Sequence, residues 1–418
     1  GAHMAIDLSY YRKEFPAVEV AVNGYKAAYF DSAGGTQFPK QVIDAMVGYC
    51  EQGNANIHGF YLTTIQTDEM LLKAREAMAV LLGAKSRDEI AFGANMTTLN
   101  FSLSRALARD MKPGDEIIIT DLDHEANRSP WMELEEQGIV VKSVPVRTED
   151  CTLDYDWLRR EINPRVRVVA VGYASNAVGT VNDLETVIKL AKSVGATTVV
   201  DAVHYAAHGP IDVQSLGCDF LLCSAYKFFG PHIGVLYGKT EAFECLKTYK
   251  VRPQSPNPPN KIETGTLNHE GIAGSIEAVN FIAGLGDVVL GDDGQEHNLR
   301  DRVVAGYRAL EEYERPLFRR LVDGLRGIDG VTLYGLPWNG SRTPTVAFTV
   351  DGVHASDVAR HLGDVGVFVM CGDFYATKLI EVLDLVERGG VIRAGLAPYN
   401  TVEEVDRLLA AVEEIASR

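Results

Sequence analysis

The sequence predicts an α/β fold. A large domain is built on a mostly parallel sheet with helices on both faces, and a smaller C-terminal α/β domain follows. Three observations lead there. Apolar, β-branched runs recur through the first two thirds of the chain, and helical patterns fall between them. The runs are continuous rather than alternating, which marks strands buried on both faces.

The elements follow in order. "GANMTTLN" (93–100) precedes an apparent helix. "DEIIITDLDHE" (115–125) reads as a strand ending in a polar loop, and "RVRVVAVGYASNAVGT" (165–180) repeats that format. "DLETVIKLAKSVGA" (183–196) carries apolar residues at three and four spacing with a glycine near its end, the pattern of an amphipathic helix. "ATTVVDAVHYAAHG" (196–209) and "FLLCSAYKFFG" (220–230) are two further strand-to-loop units. A proline-rich loop, "VRPQSPNPPN" (251–260), closes this part. A long helical stretch spans roughly 269–328. The smaller α/β pattern after it ends in a helix opened by Thr401 and Glu404, a capping box. The expected division is 1–24 as tag scar (Gly1–Met4) and N-terminal segment, 25–285 as the large domain, and 286–418 as the small one.

Composition narrows the function. The 418 residues carry a formal net charge of -17 and no long basic run. That argues against nucleic acid or an anionic membrane as partner. Six cysteines are scattered without CxxC spacing, which predicts neither a zinc site nor a disulfide scaffold. No apolar run reads as long enough to span a bilayer, and no signal-peptide core is evident. The expectation is a cytoplasmic protein with reduced thiols.

In parallel sheets ligands sit beyond the carboxyl ends of the strands. His124, Asn176, Asp201, His204 and Lys227 all follow such ends, so they are predicted neighbours. Each has an ordinary alternative: a loop histidine, a turn asparagine, a helix cap, a solvated lysine. Together they supply four distinct roles, and a phosphate cup beside them makes a fifth. Lys227 lies between an apolar strand and a Gly-Pro turn, where partial desolvation favours Schiff-base chemistry. Asp201 can hold a protonated pyridine nitrogen. His124 can stack on an aromatic ring, and Asn176 and His204 can reach a phenolic oxygen. Asn95, Met96 and Thr97 at a helix start, with Ser224 and Tyr226 beside the lysine, can cup a phosphate. The combination points to pyridoxal 5'-phosphate (PLP).

The motifs "YFDSAGGTQFPKQVIDAM", "DLDHEANRSPW", "SNAVGTVNDL", "VVDAVHYAAHGPIDVQSLGCDF", "CSAYKFFGPHIGVLYG", "ETGTLNHEGIAG" and "VIRAGLAPYNTVEEVDRLL" resemble the class V aminotransferase group, in particular its cysteine desulfurase-like and isopenicillin-epimerase-like branch. The resemblance runs from about Phe30 to Leu409. It implies the PLP-dependent fold type I (aspartate aminotransferase-like) and a homodimer with its sites at the interface. It assigns Lys227 as the Schiff-base lysine and Asp201 as the partner of the pyridine nitrogen. His124 becomes the stacking ring, Asn176 and His204 approach the phenolic oxygen, and Asn95, Met96, Ser224 and Tyr226 form the phosphate cup. Thr266 reaches the phosphate of the neighbouring subunit, and Arg393 clamps the α-carboxylate of a small amino-acid substrate. A bidentate guanidinium suits that last role.

The resemblance breaks at one place. Where desulfurases of this branch carry a nucleophilic cysteine after Gly-His-His, this chain reads "GDFY", so Tyr375 takes the cysteine position. Cys371 lies four residues earlier, and strand alternation points Cys223 into the core. A persulfide-forming thiol must be exposed and mobile. The expected chemistry is therefore C–S bond cleavage by β-elimination, with Tyr375 near the substrate. Persulfide-forming desulfuration, epimerisation and transamination are the alternatives within the family. A PLP-binding regulatory partner of a sulfur-transfer system is the alternative outside it.

Overall fold

The computed structural model describes residues 5–418; the expected tag scar lies outside the described residues. The central sheet has seven strands: β1 (Ile90–Gly93), β2 (Glu116–Thr120), β3 (Val140–Val144), β4 (Val166–Gly172), β5 (Thr197–Asp201), β6 (Phe220–Ser224) and β7 (Gly234–Gly238). Their order is β1-β7-β6-β5-β4-β2-β3. Strand β7 runs antiparallel to both neighbours, and the other pairs are parallel.

The sheet is buried on both faces, as its unbroken apolar runs require. Ile118, Val169, Val200, Leu221 and Cys223 face one core. After helices α1 (Lys40–Gly53) and α2 (Leu62–Leu82) comes α3 (Met96–Ala108), which with Trp131 meets Ile117, Ile119, Val168, Phe220 and Leu222 in another. The period-two pleat thus places Cys223 in the core, as its strand position suggests.

Residues 269–328 form two helices rather than one. Helix α4 (His269–Leu290) stops at Gly291, and Asn298 caps α5 (Leu299–Arg326) by accepting from the Asp301 backbone N–H at 2.8 Å. The two cross with backbones almost touching. A Cβ at Gly286 would fall 2.0 Å from the Arg302 carbonyl oxygen, and one at Gly306 would fall 2.0 Å from that of Ile282. Helix α4 is long and apolar enough to cross a membrane, against the sequence expectation, but most of its residues are buried within the fold. It reads as a core helix.

The second sheet is antiparallel. Strands β8 (Val331–Tyr334), β9 (Thr345–Val350), β10 (Met370–Gly372) and β11 (Val391–Gly395) lie in the order β8-β9-β11-β10. Helices α6 (Ala355–Asp364) and α7 (Val402–Ala416) pack on it, and α7 opens with the expected capping box of Thr401 and Glu404. The expected boundary at 286 falls inside α4, but the two cores interlock across it. Val303, Tyr307 and Leu310 of α5 pack in the first core, while Leu317, Leu321 and Leu325 pack in the second. Ala28 and Phe30, near the start of the chain, also belong to the second core. Ala28–Tyr29 pairs in parallel with Val367–Phe368.

Candidate active site

A cavity of about 440 Å³ opens where β2, β4, β5 and β6 end. Every expected cofactor residue except Thr266 lines it. The chain places them there because parallel strands all deliver their C-terminal loops to the same edge of the sheet.

Lys227 follows β6 after a single 3-10 turn (Ala225–Lys227). Its Nζ donates to the Ala33 carbonyl at 2.5 Å. Burial, then the charge of Arg393, pushes its pKa down to about 8, while Asp31 and Asp201 pull the other way. Asp201 ends β5 and accepts from the Val203 N–H at 3.0 Å. Burial raises its carboxyl to about 6 despite the opposing charge of Lys227.

His124 follows β2. Its Nδ1 accepts from the Ala126 N–H at 2.9 Å. Burial, reinforced by Lys227 and Arg393, lowers its pKa to about 4, so the ring is neutral and its one proton sits on Nε2. His204 is almost fully buried. Its Nε2 bonds to Thr343 Oγ1 at 2.8 Å, and its Nδ1 has no partner. Asn95 caps α3, its Oδ1 accepting from the Thr98 N–H at 2.8 Å. The Met96 N–H donates to Ser224 Oγ at 3.1 Å, which ties the helix start to the end of β6.

Arg393, on β11, is 3% exposed. Its Nη1 donates to the Asn176 carbonyl and its Nη2 to Asp31 Oδ1, both at 3.1 Å. The Phe374 ring lies 3.9 Å from the guanidinium carbon, and Nε is buried without a partner. The ordinary alternative for this arginine, a surface ion pair, does not describe it.

Tyr375 is 68% exposed and lies outside the cavity lining, beside His124, which lines it. Its ring centroid is 5.4 Å from that of His124 in an edge-on arrangement. Two backbone contacts hold its loop: the Glu125 N–H donates to the Tyr375 carbonyl at 2.7 Å, and Asn176 Nδ2 donates to the Phe374 carbonyl at 2.9 Å. Asn176 therefore holds this loop here, a use its turn position did not suggest. Phe374 (φ 56°) and Tyr375 (φ 58°) are successive left-handed residues, a costly backbone that persists where surroundings impose it.

Other expected residues stand apart. Thr266 is exposed and lies outside the cavity of its own chain. Cys223 is fully buried, and burial pushes its thiol pKa strongly up. Cys371, on β10, is partly buried, and burial raises its pKa too. Among the described residues no cysteine lines the cavity, and no cluster with metal-ligand spacing is present.

Sequence reasoning passed over four residues. Asp123 lines the cavity beside its singled-out neighbour His124 and accepts twice from the Gly172 N–H, at 2.9 and 3.1 Å. Burial and the nearby Asp201 push its carboxyl up to about 7. His232 stacks on Tyr226 with centroids 4.8 Å apart. Asp31 and Thr343 come from distant segments, and only the Asp-Ser-Ala-Gly-Gly run around Asp31 carried any signal.

The arrangement fits PLP. A desolvated lysine, a carboxylate across from it and a neutral imidazole share one cavity. A helix N-terminus and the Ser224 and Tyr226 hydroxyls line it too, and buried His204 is part of its wall.

Comparison with known proteins agrees. Residues 28–408 match the family described as aminotransferase class-V. The chain is 32% identical to a cysteine desulfurase of Pectobacterium carotovorum subsp. carotovorum (strain PC1), covering 99% of this chain and 98% of the other. It is 32% identical to a cysteine desulfurase of Salmonella gallinarum, with 97% of each chain covered. Two solved structures superpose over nearly their full lengths. The cysteine desulfurase CsdA of Escherichia coli does so with a TM-score of 0.84, 29% identity and 99% coverage of both chains. The apo cysteine desulfurase of Thermococcus onnurineus NA1 gives 0.85, 29% and 100% of both.

Proposed function

We propose, from the premise that this chain belongs to the class-V aminotransferase family, that it cleaves the carbon–sulfur bond of a small sulfur-bearing amino acid by β-elimination. It is a cysteine desulfurase-like, PLP-dependent enzyme. The observation that carries the elimination reading is Tyr375 packed beside the cavity-lining His124, with no cysteine lining the cavity.

When bound, PLP supplies an electron sink for the pair released at the substrate Cα. The rest falls to side chains. Asp201 would face the pyridine nitrogen and His124 the ring face. The start of α3, Ser224 and Tyr226 would hold the phosphate. Arg393 binds the substrate α-carboxylate, with Nε the donor left free for it. Lys227, with a pKa near 8, is partly neutral at physiological pH and removes the Cα proton. His124 Nε2–H and the Tyr375 phenol are the donors available to sulfur as it departs. Water then converts the remainder to pyruvate and ammonia.

In this reading the enzyme is a cytoplasmic homodimer, with Thr266 serving the partner's phosphate. The exposed Thr266 and the exposed apolar run Phe60, Tyr61 and Leu62 support it. A second reading, persulfide-forming desulfuration, is favoured by the relatives' being cysteine desulfurases. It requires Cys371 to leave its partly buried place.

One experiment separates the two. PLP-loaded protein is given L-cysteine and a cysteine S-conjugate, and alanine and pyruvate are quantified. Pyruvate with equimolar ammonia supports elimination. Alanine with sulfur bound to the protein overturns it in favour of the persulfide route. A spectral response to other amino acids alone moves the assignment to transamination or epimerisation.

A further inference from the structure

We propose that Asp31 is the counter-ion that Arg393 gives up when a substrate carboxylate binds, so that the clamp works by exchanging one carboxylate for another. This rests on the reading of Arg393 as the carboxylate clamp, and adds what occupies the clamp before substrate arrives.

Arg393 is not in the lining of the cavity, although Asn176, whose carbonyl it bonds, and Lys227, whose charge it opposes, both are. Three contacts cover it. The Phe374 ring packs on the guanidinium and offers it no hydrogen bond. The Asn176 carbonyl takes Nη1, and Asp31 Oδ1 takes Nη2, both at 3.1 Å. Only the last contact brings a charge. Among the described residues Asp31 is the one carboxylate paired with Arg393. Burial lowers the Arg393 pKa, and the charge and hydrogen bond of Asp31 oppose that.

A guanidinium grips a carboxylate through two adjacent N–H groups, either Nε with Nη2 or Nη1 with Nη2. Nη2 belongs to both forks, and it is the nitrogen that Asp31 holds. Its second hydrogen does not remove the conflict. Two carboxylates on one guanidinium would leave a net negative charge around a side chain that is 3% exposed, and uncompensated buried charge is costly. One carboxylate must therefore leave, and Asp31 is able to. Its side chain is 33% exposed and holds Arg393 through a single oxygen, so it returns to water when it turns away. Its backbone need not follow. The Gly34 N–H donates to the Asp31 carbonyl at 3.0 Å, and the Gly395 N–H donates to the Phe30 carbonyl at 2.8 Å. The Asn176 carbonyl can stay, because it is neutral and a guanidinium has five N–H donors.

The test uses PLP-loaded, full-length protein and β-(methylthio)propionate, which carries a carboxylate and a thioether but no amine to react with the cofactor. The corresponding amide is the uncharged control. Calorimetric titration compares the wild type with Asp31→Asn, which keeps an oxygen for Nη2 and drops the charge. The acid is expected to bind Asp31→Asn about 5–10-fold tighter, and the amide within about twofold of the wild type, because one charge-assisted hydrogen bond no longer has to be given up. Arg393→Gln should weaken acid binding about 10-fold or more. A crystal structure of the wild type with the acid depends on no variant folding; in it Asp31 Oδ1 should stand beyond about 4 Å from Arg393 Nη2. Acid binding by Asp31→Asn that is unchanged or weaker, an equal gain for the amide, or Asp31 still at hydrogen-bond distance in the complex overturns the proposal. If Arg393→Gln binds the acid as the wild type does, the clamp reading and the exchange fall together. If Arg393→Gln loses the acid while Asp31→Asn gains nothing, the exchange alone falls.

Discussion

Replacing Lys227 with methionine should make the cofactor-free protein more stable, although it destroys the chemistry. Methionine has nearly the shape of lysine and no charge. Folding moves the Lys227 pKa from 10.5 down to about 8, chiefly by burial, so the folded chain surrenders this proton more readily than the unfolded one. The resulting destabilisation is complete below about pH 8, shrinks between 8 and 10.5, and is gone above. Its size at neutral pH is about 3 kcal/mol. Against it stands the lost hydrogen bond to the Ala33 carbonyl, about 1 kcal/mol. The net gain is about 2 kcal/mol at pH 7 and close to nothing at pH 10. Unfolding entropy for 418 residues is about 0.9 kcal/mol/K, so the melting temperature should rise by about 2 °C at pH 7. Scanning calorimetry of cofactor-free wild type and Lys227→Met at both pH values measures it. A difference that is negative at pH 7, or that does not shrink with rising pH, would refute the reasoning that the site holds its lysine against the fold's preference.

Three further outcomes are expected. Glu263→Ala leaves Arg75 buried without the carboxylate that now meets it through two 2.8 Å bonds. It should cost about 3–5 kcal/mol, seen as a lower melting temperature, and pairing it with Arg75→Met should recover much of the loss. Arg393→Lys keeps the charge but loses the fork, and should raise the KM for an amino-acid substrate about 10-fold or more with a smaller effect on kcat. Tyr375→Cys places a thiol beside His124, and should divert product from pyruvate toward alanine with sulfur bound to the protein. An unchanged product ratio would show that the identity of residue 375 does not decide the route.

The strand-and-loop rhythm was legible because parallel strands advertise themselves as unbroken apolar runs, and each such run ends at the same edge of the sheet. That logic gathered Lys227, Asp201, His124 and His204 without coordinates. It could not separate Asp123 from the adjacent His124, since both follow β2 and only burial distinguishes their tasks. Thr343 carries no local pattern, and the motif around Asp31 does not show what it meets; their contacts arise from segments that meet only when the two halves close. The long helical stretch expected over 269–328 resolves into two helices, because "GDDGQEHN" between them offers glycines and a cap. Asn176 was assigned to a ligand oxygen from its place after β4, but its amide is engaged by the Phe374 carbonyl.

The pairing of Ala28–Tyr29 with Val367–Phe368 has a consequence for synthesis on the ribosome. Some 340 residues separate the partners, which at about 5–20 residues per second is a wait of roughly 20–70 s. Through that interval the central sheet can assemble, yet Ala28 and Phe30 lack the second core they pack into. Their segment settles only when β11 emerges and Asp31 can meet Arg393. The Asp31–Arg393 pair at the edge of the cavity thus forms only after residue 393 is made, and a chain cut short of it lacks that pair.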